Sequence, residues 1–235
     1  MKKSKYYLYE LDVKMLNIFS LVLMGITLLI AYLINKDFFI SSVNYIFSGY
    51  HFAIFLILYL LYMVFHEILH SIAYIALGAS PKNVLYGAAV EKGVFYCLCK
   101  ENVTKKNILT SLLTPFALIG ILTLIISYIF KLPYLLMLSI FNISGCIGDL
   151  FMFSFIRKLD DDIEYSEYDD PVSFGIYSKE DITKIKSFGL KYVGCANVLK
   201  REDMKKITVS KPSIVFIVVI VILAVLMFLL DKGII

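Results

Sequence analysis

Long apolar stretches separated by short polar segments dominate the chain. A helix needs about 20 mostly apolar residues to cross the hydrocarbon core of a bilayer. The third and fourth stretches are separated by so few residues that they must form a helical hairpin. The pattern predicts an integral membrane protein with about five transmembrane helices. They lie at Met15–Ile34, Phe52–Gly78, Ile108–Phe130, Leu132–Ile156 and Ser213–Leu230.

Two polar segments have a pattern of their own. Asn83–Lys100 places aromatic and β-branched residues on both sides of a turn that contains Gly93, which is typical of a β-hairpin. Leu159–Lys211 begins with acidic residues. It then indicates a short strand, a helix from about Ser178 and another strand near Tyr192.

The chain is therefore predicted to be an all-α polytopic membrane protein with a small cytoplasmic β-hairpin and a small cytoplasmic α/β segment. Residues 1–14 are expected to form a cytoplasmic N-terminus, and residues 15–156 a membrane core of four helices. Residues 157–212 would be a cytoplasmic acidic and mixed segment, and residues 213–235 a C-terminal transmembrane helix.

The charges agree with a membrane protein and give it an orientation. Only 18% of the residues are charged, whereas a soluble domain has about 25%. Twenty of the 23 lysines and arginines fall on one side of the five-helix arrangement, and the other three are Lys36, Lys131 and Lys232. Because basic loops remain in the cytoplasm, we expect a cytoplasmic N-terminus and an outside C-terminus. The chain has no block of basic residues suited to nucleic acid, so nucleic acid is not an expected partner.

The sharpest chemical signal is the HExxH motif in the second apolar stretch, formed by His66, Glu67 and His70. Residues four apart lie on one face of a helix, so the two imidazoles can bind one zinc ion. Glu67 follows the first ligand, and its carboxylate can reach a zinc-bound water and act as a general base. Ionisable side chains inside a membrane are costly and usually mark function.

The motif supplies two ligands, whereas a catalytic zinc usually takes three from the protein. Ala76 stands where a metzincin has its third histidine, which excludes that pattern. Asp149 is the best candidate, because it is the only acidic residue in the third to fifth apolar stretches. It also lies as deep as His70, roughly 10–12 Å from the cytoplasmic side at 1.5 Å per residue. Glu91 and Cys146 are alternative ligands, and Asp149 could instead form an interhelical hydrogen bond or relay protons.

Two other residues lie at a similar depth. Asn142 precedes Asp149 by seven residues and shares its helix face, so it could orient the substrate backbone or an oxyanion, or form an interhelical hydrogen bond. Pro115 interrupts the third apolar stretch, where it frees a carbonyl one turn back and kinks the helix. The kink could open a water path or serve packing alone.

This arrangement resembles the site-2 protease group of intramembrane zinc metalloproteases. That group combines HExxH on one membrane helix with a later membrane-embedded Asp, often preceded by an Asn. The matching residues are His66, Glu67, His70, Asn142 and Asp149. Leu150 stands where a Gly is common in that group, and no PDZ-like domain is found.

More narrowly, four stretches resemble a small bacterial family of zincin peptidases. They are HEILHSIAYIALGA, the TPF around Pro115, NISGCIGDL and DDPVSFGIY, and the resemblance extends over most of Phe52–Tyr177.

The residues and the resemblance together predict a membrane-embedded zinc metalloprotease. Its cofactor would be Zn²⁺, and its partners would be the lipid bilayer and a peptide or transmembrane protein substrate. The predicted hairpin could pair with an unwound substrate strand. The alternative is a non-hydrolytic metal-binding membrane protein, such as a transporter, a sensor or an immunity-type accessory factor. Five spans without an inverted repeat count against a transporter.

Overall fold

The computed structural model describes residues 5–89, 94–167 and 172–196. Seven α-helices and seven strands lie in these residues. The helices are α1 (Val13–Ile34), α2 (Lys36–Ile46), α3 (His51–Ala76), α4 (Lys105–Pro115), α5 (Thr123–Phe130), α6 (Pro133–Gly145) and α7 (Ile147–Ile156). The strands are β1 (Lys5–Leu11), β2 (Val84–Ala89), β3 (Val94–Cys99), β4 (Val103–Thr104), β5 (Glu164–Glu167), β6 (Ser173–Ser178) and β7 (Leu190–Ala196).

Three helices in the described part of the chain are long and apolar enough to cross a membrane. They are α1, α3 and the continuous helix Lys105–Phe130. The last consists of α4, a π-helical stretch at Phe116–Leu122 and α5. These helices indicate a membrane protein and agree with the first three apolar stretches.

The fourth predicted span is bent rather than straight. Helices α6 and α7 meet at Cys146 with an angle of 44° between them, and together they form a fourth candidate span. The fifth predicted span, Ser213–Leu230, lies outside the described residues.

The prediction of an all-α fold is wrong, because the structure contains two antiparallel sheets. The larger has five strands in the order β4-β5-β6-β1-β7, and β2 pairs with β3 in the smaller. The segment Lys5–Leu11, expected to be part of a terminal tail, is the strand between β6 and β7. From Tyr7 onward its side chains alternate in burial, and Tyr6, Tyr7, Tyr9 and Leu11 are buried. The pattern is only seven residues long and its partners lie more than 150 residues away, so local periodicity did not reveal it.

Two local assignments also differ from the sequence-based expectation. The helix predicted from about Ser178 is a single 3-10 turn at Ile182–Lys184, followed by β7. The connection between the first two spans contains α2, which begins where the side chain of Asn35 accepts a hydrogen bond from the backbone N–H of Phe38 (3.0 Å). An asparagine in this position is a typical helix N-cap.

The five-stranded sheet packs against one end of the helices and holds α7 in place. Phe151, Phe155 and Ile156 of α7 belong to one buried cluster with Tyr9 and Phe174 of the sheet. The rings of Tyr9 and Phe155 are 4.7 Å apart between centroids. A second buried cluster joins α1, α2, α3 and α6 at the other end of the helices. The sheet therefore determines where the first turn of α7 lies.

Gly189 allows the sheet to approach α7 and provides a test of this packing. Its φ is +73°, and a Cβ at this position would lie 2.2 Å from Cδ2 of Phe151. We expect Gly189→Ala to destabilise the protein by about 2–4 kcal/mol, from the left-handed backbone and the overpacking. Thermal unfolding of the detergent-purified protein measures this.

Gly194→Ala is the matched control, because nothing lies within 4 Å of a Cβ at that strand position. Its stability should change by no more than about 0.5 kcal/mol. Equal effects of the two substitutions would contradict the proposed packing role of Gly189.

Candidate metal centre

Helix α3 presents the two histidines of the HExxH motif on one face. His66 and His70 are one turn apart, and their Nε2 atoms are separated by 3.1 Å. The side chain of His66 is 14% exposed and that of His70 is 10% exposed. The motif therefore places two largely enclosed ring nitrogens side by side, as the i, i+4 spacing predicts.

Asp149 lies beside this pair, in the first turn of α7. Its Oδ2 atom is 3.3 Å from Nε2 of His66 and 3.6 Å from Nε2 of His70. The position near a helix N-terminus favours an ionised carboxylate. The bend at Cys146 separates α7 from α6 just before this residue. The structure thus brings together the three residues that the sequence predicts as ligands.

The spacing of the three atoms fits a zinc ion. Zinc bonds of about 2.0–2.1 Å in tetrahedral geometry place neighbouring ligand atoms about 3.3–3.4 Å apart. The observed separations of 3.1, 3.3 and 3.6 Å lie around that value. Two imidazole nitrogens and one carboxylate are also the ligand types that zinc commonly takes.

The other ring nitrogen of each histidine is hydrogen-bonded to an oxygen that can only accept. Nδ1 of His66 lies 2.8 Å from Oδ1 of Asn142, and Nδ1 of His70 lies 2.9 Å from the carbonyl oxygen of Ser111. Both Nδ1 atoms must therefore donate, which leaves each Nε2 with a free lone pair. Two such lone pairs facing one another at 3.1 Å require a cation or a proton between them.

Asn142 is a candidate for binding substrate or an oxyanion, yet its side chain is hydrogen-bonded inside the protein. It is buried, its Oδ1 accepts from His66, and its Nδ2 donates to the carbonyl of Pro115 at 3.4 Å. Both ends of the amide are thus engaged within the protein. A role toward substrate or an oxyanion stays a prediction. The contacts described here would orient the imidazole ring of His66.

Glu67 lies next to the ligands and also contacts the small sheet. The ligand atoms of His66, Glu67 and His70 lie within 4.8 Å of one another. The backbone N–H of Cys97 in β3 donates a hydrogen bond to the Glu67 carboxylate. The β2–β3 hairpin therefore helps to fix the side chain expected to act as the base.

Cys146 and Glu91 are the two alternative ligands, and only Cys146 lies among the described residues. Cys146 is buried, and its Sγ lies within 4.8 Å of ligand atoms of His66 and Asp149, so it borders the site. Glu91 lies outside the described residues. His51 begins α3, fifteen positions before His66, and its Nδ1 is 2.7 Å from the hydroxyl of Tyr134.

Glu167 is a residue of this site that sequence reasoning missed. It lines the same cavity, of about 350 Å³, as Glu67 and Asp149. It accepts a hydrogen bond from the hydroxyl of Tyr74 (2.9 Å) and another from the backbone N–H of Cys99 (2.5 Å). Burial raises the pKa of its carboxyl group to about 8. In sequence it is one of several acidic residues in a polar segment, and only the pairing of β5 brings it to the site.

The fold and the site thus define a protein with membrane-type helices and a cluster of histidine and carboxylate side chains that could hold a metal ion. Residues 59–163 match the model of a family described as "Putative zincin peptidase". This match supports a metallopeptidase and implies zinc as the cofactor. No curated protein and no solved structure shows a significant match to the chain.

Zinc binding is the first test of the site. The purified protein should contain about one zinc per chain, and the double variant His66→Ala/His70→Ala should contain almost none, because both nitrogen ligands are lost. Elemental analysis after dialysis measures the content.

His51→Ala is the control, because it removes the third histidine of the chain and leaves the cluster intact. It should retain the zinc content of the wild type. Zinc retained by the double variant would exclude His66 and His70 as the ligands.

Proposed function

We propose that the protein is a membrane-embedded zinc metalloprotease that hydrolyses peptide bonds of membrane or membrane-proximal substrates. The observation that carries this proposal is the convergence of Nε2 of His66, Nε2 of His70 and Oδ2 of Asp149 beside Glu67. The match of residues 59–163 supports the peptidase class. The membrane setting is supported by the helices that carry the site.

His66, His70 and Asp149 would hold the metal, and Glu67 would carry the proton. Zinc bound there supplies Lewis-acid polarisation of the attacking water and the scissile carbonyl. Glu67 accepts a proton from that water and delivers it to the leaving amine. The hydrogen bond from the Cys97 N–H keeps the Glu67 side chain oriented during both transfers.

Electrostatic balance supports this set of residues. A zinc ion with two neutral imidazoles and the Asp149 carboxylate carries a charge of about +1, and an ionised Glu67 brings the site near zero. A neutral, hydrogen-bonded cluster costs far less to bury than its separate charges.

Water would reach the site from the side of the five-stranded sheet. The cavity around the ligands is lined by Tyr62 and Met63 of α3 and also by Tyr165 and Phe174 of the sheet. It therefore extends from between the helices toward the polar end of the molecule. Water can then reach the candidate metal ligands without passing through lipid.

The hairpin is the proposed docking place for an unwound substrate strand. The outer edge of β3 is already occupied. The N–H groups of Cys97 and Cys99 on that edge are hydrogen-bonded to the carboxylates of Glu67 and Glu167, respectively. Among the described residues, the outer edge of β2 pairs with no strand. A substrate backbone pairing there by β-augmentation would satisfy its own polar groups after unwinding.

A cleft next to the hairpin supports this docking place. It has a volume of about 610 Å³ and lies between α3 and the hairpin. Val64, Ile68, Tyr86 and Phe95 line it, and it reaches Glu67. Apolar side chains of a membrane-derived peptide would fit such a lining.

The proposed orientation places the N-terminus and the five-stranded sheet in the cytoplasm, in a bacterial plasma membrane. It rests on the distribution of basic residues. The pairing of β1 with β6 and β7 is compatible with this orientation. That pairing requires Lys5–Leu11 and the segment after α7 to lie on the same side of the membrane.

The division of labour between Glu67 and Asp149 tests the hydrolytic mechanism. Glu67→Gln keeps the size of the side chain and removes the base, so zinc content should stay nearly intact. Cleavage should fall by about two orders of magnitude or more. Asp149→Asn weakens a ligand, so zinc content and cleavage should fall together. The measurements are zinc content and cleavage of synthetic leucine- and alanine-rich membrane-spanning peptides by detergent-purified protein.

A chelator-treated wild type provides the baseline without metal. Full cleavage by Glu67→Gln would end the proposed mechanism. Stoichiometric zinc without cleavage of any peptide would favour the non-hydrolytic metal-binding alternative.

Cysteine labelling tests the orientation. Cys195 in β7 is exposed, and the other three cysteines are buried. A membrane-impermeant maleimide should label the wild type only after the cells are permeabilised. Ser41→Cys in a Cys195→Ser background should be labelled in intact cells, because Ser41 is exposed on α2 at the opposite end. The reverse labelling pattern would overturn the orientation.

A further inference from the structure

Three side chains at or near the candidate metal centre are hydrogen-bonded to backbone carbonyls of one helix, Lys105–Phe130. The carbonyl oxygen of Ser111 bonds to Nδ1 of His70 (2.9 Å), and that of Pro115 accepts from Nδ2 of Asn142 (3.4 Å). The carbonyl oxygen of Ile119 accepts from the hydroxyl of Tyr62 (2.7 Å). The three carbonyls are four residues apart and so lie on one face of the helix.

The partners on α3 follow the same spacing in the opposite direction. Tyr62, His66 and His70 are also four residues apart, and α3 therefore runs antiparallel to the helix Lys105–Phe130. The middle contact is indirect, since Asn142 lies between His66 and the carbonyl of Pro115. Both zinc-binding histidines are thus connected to the same stretch of backbone.

Pro115 explains why the carbonyl of Ser111 can accept such a bond. In a regular helix the carbonyl of residue 111 accepts from the N–H of residue 115, and proline has none. The Ser111 carbonyl is consequently available to His70. The π-helical stretch Phe116–Leu122 begins directly after Pro115, so the regular i to i+4 pattern is also interrupted there.

We propose that Pro115 is a positioning residue for the metal centre, which releases the backbone carbonyl that orients His70 and supports the asparagine that orients His66. This inference rests on the zinc site of the proposed function. Its consequence is a preset tautomer, because both Nδ1 atoms donate to these acceptors and both Nε2 atoms then face Asp149. Partners of this kind typically change metal affinity about 10–100-fold when they are removed.

The rival explanation is that Pro115 only fills space, since it is buried between the helices. The two explanations differ in whether the volume of the side chain at position 115 affects zinc affinity. Alanine, glycine and valine all restore an N–H at position 115, which would compete for the Ser111 carbonyl. Only valine approximates the volume of proline.

The experiment compares the zinc affinity of full-length Pro115→Ala, Pro115→Gly and Pro115→Val by competition with a chelator, beside folding measured by thermal unfolding. All three should bind zinc about 10–100-fold more weakly than the wild type. Pro133→Ala is the matched control, because Pro133 occupies the first turn of α6, where an N–H has no helical partner. It should keep the zinc affinity of the wild type.

A second variant leaves the backbone of α4 unchanged. Asn142→Leu removes the connection between His66 and Pro115 together with the contact of the amide to Sγ of Cys146, and we expect about tenfold weaker zinc binding. Wild-type affinity in this variant would overturn the proposed anchoring even if the Pro115 variants do not fold. Near-wild-type affinity of Pro115→Val with strong loss in Pro115→Gly would show a packing role and also overturn it.

The outcomes separate this inference from the proposed function. If the wild type and all Pro115 variants bind zinc equally, the positioning role fails and the protease proposal stands. If the wild type binds no zinc, both fail.

Discussion

The burial of one carboxylate beside two imidazoles is the constraint on which this structure depends. Asp149 lies among apolar helices, and a carboxylate there is tolerated only when it is paired and hydrogen-bonded. Its Oδ2 lies within 3.6 Å of both Nε2 atoms. This arrangement requires α3 and α7 to come together at a defined depth. The bend at Cys146 meets that requirement, because it turns the start of α7 toward the histidines independently of α6.

The polar end of the molecule stabilises this geometry from outside the helices. The five-stranded sheet packs on α7 through Phe151 and Phe155. Glu167 in β5 joins Tyr74 of α3 and the backbone of β3, and β3 in turn contacts Glu67. The helix with the histidines, the helix with the aspartate and the hairpin beside the glutamate are therefore connected through one sheet.

The sequence predicted those parts of the site that depend on local spacing. His66, Glu67 and His70 follow from the helical repeat, and Asp149 was selected because it is the only acidic residue in the later apolar stretches and lies at the depth of His70. Ser111 could not be found in this way, because its backbone carbonyl is the functional group and every residue has one. Glu167 and β1 were missed because strand pairing joins residues far apart in the chain. The bend between α6 and α7 was missed because hydropathy reports the length of an apolar stretch and not its straightness.

The central place of β1 in the sheet has a consequence for the biogenesis of the protein. Tyr6 is synthesised long before its neighbours across the sheet, Tyr177 and Ala196. The sheet cannot close until the helices between them have been synthesised and inserted. Strand pairing at such separation is slow, since the loop must close before any contact forms. Completion of the sheet therefore follows membrane insertion, and α7 acquires its final position only then. The carboxylate of Asp149 is consequently expected to reach its place beside His66 and His70 late, after β7 has been synthesised.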